Sequence, residues 1–383
     1  MVRRFLFGRG RRRLLSALAG VAFLAGCGGG EIGEPTGNLD TIATPDPLHS
    51  DPNGPDRGDG DDMPESKPPI ATPSGYLLLS AERLAELKAM VSSSDPAWLA
   101  FKDYVDGRLD ELNIYNDSPE NRALMYLLTG EQLYADAAWD FASELMSVEN
   151  VRFDSYLHFG DLMRHAAIVL SYCDEALSSS QRDALIAYLD SWTNELWFNN
   201  QGSGWGLADP GNNYHLAFLE GTAYSGYALQ AAGVANGQVY VDLLLDKLEK
   251  DGGVLDYLDH VNGGGWFEGT NYGERSKQRL NGALSVVASM GGTNHFYEHP
   301  YLGASVRYAV YELQPDGVSL YPGGDLARDS RMPVTPSERD YLLSARFWLG
   351  QGVAPSLATW YVDNIATTFD QPAYRHLMFK NMV

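Results

Sequence analysis

The sequence predicts an all-α fold, and three observations carry the prediction. From Gly75 onward apolar residues recur at three- and four-residue spacing, strand-like alternation is nearly absent, and helix-start signals precede the periodic stretches. The periodicity marks helices over 84–90, 98–112, 123–128, 133–146, 162–177 and 184–197, then over 215–232, 239–248, 272–290, 304–313 and 337–349. Asp95-Pro96 and Ser118-Pro119 put Pro at a first helical position, where no N–H is needed, and the serines at 178–180 offer caps ahead of Gln181. Paired helices with short connections predict helical hairpins wound into a toroid or a solenoid. No period of about 20 to 50 residues repeats in the letters, which disfavours a solenoid.

Composition narrows the class. The 383 residues hold 28 Lys+Arg against 50 Asp+Glu, a net charge of −22, and 44% apolar residues, enough for a sizeable core. Arg3, Arg4, Arg9, Arg11, Arg12 and Arg13 all precede Cys27, so the remainder is more acidic still and nucleic acid is not an expected partner. Cys27 and Cys173 form neither a disulfide framework nor a zinc-ligand spacing, and no metal or cofactor is expected.

The basic start is followed by an apolar run too short to span a bilayer, ending in Leu24-Ala25-Gly26-Cys27. That end resembles a bacterial lipoprotein signal. The resemblance implies a signal peptide over 1–26, lipidation of Cys27 and an anchor that Gly28 directs to the outer membrane. Residues 28–73 contain nine prolines, eight glycines, ten acids and no aromatic residue, so 27–74 is expected to be a disordered acidic tether. The catalytic domain is expected over 75–383.

Three loop-rich stretches interrupt the helical pattern: 199–215, 256–272 and 314–332. Each is dense in Gly, aromatic and amide residues. Loops of this length in a helical domain are usually functional, and their aromatic content suits carbohydrate. The first ends in Asn212-Asn213-Tyr214-His215 and enters a helix, so amides and an imidazole stand at a positive helix end. The second, Gly263-Gly264-Gly265-Trp266-Phe267-Glu268-Gly269-Thr270-Asn271-Tyr272, also enters a helix, and its glycines allow close approach of backbone to ligand.

Asn213-Tyr214-His215 and Gly265–Tyr272, 57 residues apart from His215 to Tyr272, resemble elements of the heparinase II/III-like and alginate-lyase polysaccharide lyases. A more diffuse similarity includes Tyr172-Cys173-Asp174 and Pro322-Gly323-Gly324-Asp325. The resemblance implies an incomplete (α/α) toroid followed by a β-sandwich, and β-elimination on a uronate-containing polysaccharide. Phe379-Lys380 lies where the family enters its sandwich, so that domain is expected to be missing from this chain.

The residue types suit such an elimination, which needs a group that neutralises the carboxylate, a base and an acid. Asn213 or Asn212 can hydrogen-bond the carboxylate as charge accumulates, His215 can act as base or share that role, and Tyr272 can protonate the leaving oxygen and, for one uronate epimer, also serve as base. Arg275, one helical turn beyond Tyr272, can tune the phenol. Trp205, Trp266 and Tyr321 are sugar platforms or packing residues, Glu268 is a buried carboxylate bonded to backbone N–H groups or a reactive acid, and Asp325 with Arg328 can line the cleft. Arg164, Arg275, Lys277, Arg279, Arg307 and Arg328 are available for a local positive patch, whereas His158 and His165 read as structural and His295 with His299 do not make a metal pair. Two rival classes remain at this level. A glycoside hydrolase would pair Glu268 with Asp325 or Asp209, and a surface lipoprotein could bind glycan without catalysis.

Overall fold

The structure is a computed structural model in which residues 71–114, 116–199, 206–324, 332–365 and 378–383 are described. The expected signal peptide, Cys27, nearly all of the tether, Trp205, Asp325 and Arg328 lie outside the described residues. The described chain is mostly helical, as the periodicity predicts. Its helices are α1 (Ala81–Ser93), α2 (Pro96–Asp106), α3 (Pro119–Thr129), α4 (Gln132–Val148), α5 (Phe159–Cys173), α6 (Ser179–Asn194), α7 (Asn213–Ala231) and α8 (Ala235–Glu249). They continue with α9 (Val254–Asp259), α10 (Thr270–Ser289), α11 (His295–Glu298), α12 (Pro300–Glu312), α13 (Pro336–Trp348), α14 (Val353–Asn364) and α15 (Met378–Met382). Among the described residues no helix is long and apolar enough to cross a membrane.

The starts follow from local chemistry. Asp95 and Ser118 cap α2 and α3 ahead of Pro96 and Pro119, Ser178 and Gln181 close a reciprocal capping box at α6, and Thr335 caps α13 before Pro336. Several elements differ from expectation, among them the short helices α9, α11 and α15, the end of α2 and helix α14. The helix expected over 98–112 stops at Asp106, because the carbonyls of Arg108 and Glu111 turn away to accept the buried guanidinium of Arg122. Helix α14 lies beyond the last helix that the periodicity marks, and Pro355 sits in its first turn, where its missing N–H costs nothing.

Packing runs through a series of neighbours. α3 lies against α4 and α5, α5 against α7, α7 against α8 and α10, α10 against α13, and α13 against α14. α7 and α10 are buried almost end to end, as helices covered on all sides must be. Phe159 and Phe218 meet edge to face at 6.5 Å between α5 and α7. The only paired strands among the described residues are two short ones, β1 (Ser319–Leu320) and β2 (Met332–Pro333), antiparallel with Ser319 opposite Pro333.

Arg122 holds the α3 end of this series. Fully buried, it donates to Asp117 at 2.8 Å and to the Ala137 and Arg108 carbonyls at 3.0 and 2.9 Å, over the Phe141 ring. Removing one partner of a buried pair strands the other charge. Arg122→Met is therefore expected to cost about 3–5 kcal/mol in chemical denaturation, and adding Asp117→Asn to recover part of the loss.

Candidate active site

The site is built at the start of α7. The Asn212 side chain accepts the Tyr214 N–H at 2.9 Å, which makes it the helix cap and occupies its oxygen. Asn213, inside the first turn and 5% exposed, has a side-chain oxygen without a hydrogen-bond partner. The two amides that the sequence leaves as alternatives are thus separated by the structure: Asn212 is committed to the backbone, and Asn213 has an acceptor to offer.

His215 follows, 2% exposed. Its Nδ1 lies 2.8 Å from the Gly206 carbonyl, which can only accept, so the proton is on Nδ1 and Nε2 carries a lone pair. That Nε2 has no partner. Burial disfavours the imidazolium and brings its pKa down to about 4 against the opposing pull of the Gly206 carbonyl, and nearby Lys247 adds to the lowering. At neutral pH the ring is uncharged, with an unused buried acceptor.

Glu268 joins the second loop to this helix end. Its carboxylate accepts the Trp266 indole N–H at 3.2 Å and the Ser276 hydroxyl at 3.4 Å, and the nearby backbone N–H of Asn213 favours its charged form. It thereby places negative charge at the positive end of α7, which has no acid in its own first turn. Burial raises its pKa while these donors oppose the rise.

The third loop meets the second one residue further on. Gly269 bridges Gly324, the Thr270 N–H donates to the Gly323 carbonyl at 2.9 Å, and the Gly323 N–H returns a bond to the Thr270 hydroxyl at 3.1 Å. A Cβ on Gly269, where φ is +86°, would fall 2.1 Å from the Gly323 oxygen, so only glycine fits. Thus Glu268, Gly269 and Thr270 connect the described parts of all three loops to the starts of α7 and α10.

Tyr272 lies half-buried in the first turn of α10. Ser276, four residues on, reaches Glu268, and Arg279, seven residues on, donates to the Asn213 carbonyl at 3.0 Å and the Leu157 carbonyl at 2.9 Å. Positions i, i+4 and i+7 share one helix face, so Tyr272 belongs to the face of α10 that addresses the start of α7. Sequence reasoning gave Ser276 and Asp161 no role, and this spacing from Tyr272 was the signal available for Ser276.

The expected positive patch takes a more neutralised form. Asp161 pairs with Arg275 at 2.8 Å and Arg164 at 3.3 Å, while Arg164 also meets Glu120 at 3.1 Å and Glu220 at 3.4 Å. Although burial opposes ionisation, Arg275, Arg164 and Arg279 hold the Asp161 carboxyl well below its ordinary range. Arg279 itself is lowered by burial to about 10 and stays charged. Lys277 instead faces Glu312, at 3.8 Å.

Other expected residues separate cleanly. Trp266 is 6% exposed and flanked by the rings of Tyr257 and Tyr301 at 5.6 and 6.3 Å, so it packs and orients Glu268 rather than offering a sugar a free face. Its neighbour Phe267, which the sequence did not single out, is 59% exposed. Tyr321 is 54% exposed beside the Gly269–Gly324 bridge. Asp209 accepts the Gly211 N–H within its own loop. His165 bonds Glu120 at 2.7 Å and His295 bonds Glu249 at 3.0 Å.

No protein-family model matches the chain, and no curated protein matches it either.

The buried His215 makes stability depend on pH. Its unfolded pKa of about 6.5 exceeds the folded value of about 4, so between the two the unfolded state binds more protons. The contribution is complete above about pH 6.5 and is lost as pH falls towards 4. Urea denaturation of wild type and His215→Gln at pH 7 and pH 4.5 is expected to show the wild type losing about 2–3 kcal/mol more than the variant on acidification.

Proposed function

We propose that the chain is a polysaccharide lyase that cleaves a uronate-containing polysaccharide by β-elimination. The observation that supports it most is that two acceptors in the first turn of α7, Asn213 Oδ1 and His215 Nε2, are each buried without a partner. The face of α10 that bears Tyr272 bonds to the same helix start. Buried polar groups without partners carry a cost that a bound ligand relieves.

In the proposed step the side-chain N–H of Asn213 donates to the uronate carboxyl, while its Oδ1 accepts from a sugar hydroxyl. Hydrogen bonding there stabilises the negative charge that builds on it, and one such donor is typically worth about 3 kcal/mol. The lone pair on His215 Nε2 removes the proton from the carbon bearing the carboxyl. The C–H electron pair becomes the C4–C5 double bond, the C4–O bond breaks, and its electron pair leaves with the oxygen. Tyr272 gives its phenolic proton to that oxygen. Arg275, held by Asp161, supplies positive charge one turn from the phenol. An imidazole of low pKa is already in its basic form at neutral pH, at the expense of a weaker driving force for proton transfer. Opening of the site on substrate binding belongs to the proposal, because Nε2 is buried.

The helix series is proposed to be part of an (α/α) toroid, and the chain to be exported and anchored through Cys27 at the outer membrane, as the sequence resemblances imply.

Incubation with alginate, hyaluronan, chondroitin sulfate and heparan sulfate tests the proposal. At least one polymer is expected to yield the ultraviolet absorbance of a 4,5-unsaturated uronate, with His215→Ala and Tyr272→Phe each lowering kcat by about 10² to 10⁴. Protonation removes the lone pair, so kcat/KM is expected to fall as pH drops through about 4. Saturated products carrying added water would indicate hydrolysis, and binding without turnover a glycan-binding protein.

A further inference from the structure

Next to the converged loops stands a group of side chains, two of which, Phe153 and His158, have no part in the elimination itself. Phe153–Tyr156 form one short helical turn in which Asp154, Ser155 and Tyr156 have φ of 47, 51 and 69°. Three successive non-glycine residues in the left-handed region are costly, on the order of 1–2 kcal/mol each, and persist only where surrounding contacts hold them. Those contacts are with the candidate site. The Tyr214 hydroxyl donates to Asp154 at 3.1 Å, and the Leu157 carbonyl accepts from Arg279 at 2.9 Å.

The turn brings Phe153 back over His158, with the rings stacked at 6.0 Å and 19°. Both are accessible: Phe153 is 63% exposed and the His158 side chain 48%. His158 Nδ1 is 4.0 Å from Asp161, whose same oxygen lies 2.8 Å from Arg275, itself 38% exposed. Behind them, the carboxylates Asp161, Glu120 and Glu220 are matched in number by the guanidiniums Arg164, Arg275 and Arg279. With Asp154 of the turn counted, the local carboxylates exceed the guanidiniums by one, so an acidic ligand at Arg275 meets a small imbalance in a chain whose net charge is −22.

We propose that Phe153, His158 and Arg275 form a subsite for an acidic sugar residue next to the one that undergoes elimination. The exposed ring of Phe153 lies along the C–H face of the sugar, as aromatic rings do in carbohydrate sites, while Arg275 and His158 take its carboxylate. Asp161 is a positioning residue: it orients Arg275 and touches no sugar. The identity of the ligand as a uronan rests on the lyase proposal, whereas the site itself rests on the geometry of the turn.

The test uses the full chain with the Tyr272→Phe substitution, which stops turnover, and tetrasaccharides of alginate, hyaluronan, chondroitin sulfate and heparan sulfate as probes in calorimetric titration. Phe153→Ala and His158→Ala are each expected to weaken binding of the preferred tetrasaccharide about five- to ten-fold and to weaken its disaccharide less. Reducing the carboxyls of the tetrasaccharide is expected to abolish the effect of His158→Ala but not that of Phe153→Ala. In the otherwise wild-type chain the same substitutions are expected to raise KM by a similar factor, with a smaller change in kcat. Both side chains are exposed, and unchanged thermal unfolding midpoints confirm that the variants fold.

A polymer cleaved with the unsaturated chromophore, but with KM and tetrasaccharide affinity indifferent to both substitutions, overturns the subsite and leaves the lyase standing. Tetrasaccharide binding that depends on Phe153 and His158, with no chromophore from any polymer, upholds the acidic-sugar site and overturns the lyase. Absence of binding by every probe overturns both.

Discussion

The contacts of the Glu268 carboxylate are the interaction on which the candidate site depends. It accepts from the indole of its own loop and from a hydroxyl on α10, and it faces the first N–H of α7, which favours its charge. A carboxylate placed in this way faces a helix end that would otherwise be an orphan, and it complements the helix dipole. Its neighbour Gly269 then fixes the third loop, because any side chain there would overlap the Gly323 carbonyl. Two adjacent residues thus bring together stretches of chain that are far apart in sequence.

What this arrangement protects is a pair of unused acceptors. Asn213 and His215 keep an amide oxygen and an imidazole nitrogen buried without partners, while Asn212 and Gly206 satisfy the groups beside them. Burial keeps His215 neutral. Around this pair the charged groups are mostly spent on one another, through Asp161, Arg164, Glu120 and Glu220, which fix the positions of Arg275 and Arg279. Buried ion pairs of this kind add little net stability, but they hold side chains in one geometry.

The helices were legible because burial of one face leaves a period in the letters, and the caps at Asp95, Ser118 and Ser178 were legible because their chemistry is local. The stop of α2 at Asp106 was not, since it depends on Arg122, which comes 16 positions later in the sequence. Glycine and proline concealed α14. At the site, residue type pointed to Asn213, His215, Glu268 and the first turn of α10, but exposure cannot be read from type. Trp266 therefore looked like a platform although it is enclosed by Tyr257 and Tyr301, and His158 looked structural although it is half in solvent against Phe153.

Hydrogen exchange at the Asn213, Thr270 and Gly323 amides tests the central claim most directly, because Thr270 and Gly323 are bonded across the junction of loops and Asn213 faces the Glu268 carboxylate. The account predicts that all three are protected in the wild type and that Glu268→Ala speeds exchange at all three together, as one opening unit. Exchange of Asn213 at the rate of a free amide in the wild type, or acceleration at Asn213 with Thr270 and Gly323 unchanged, would contradict it.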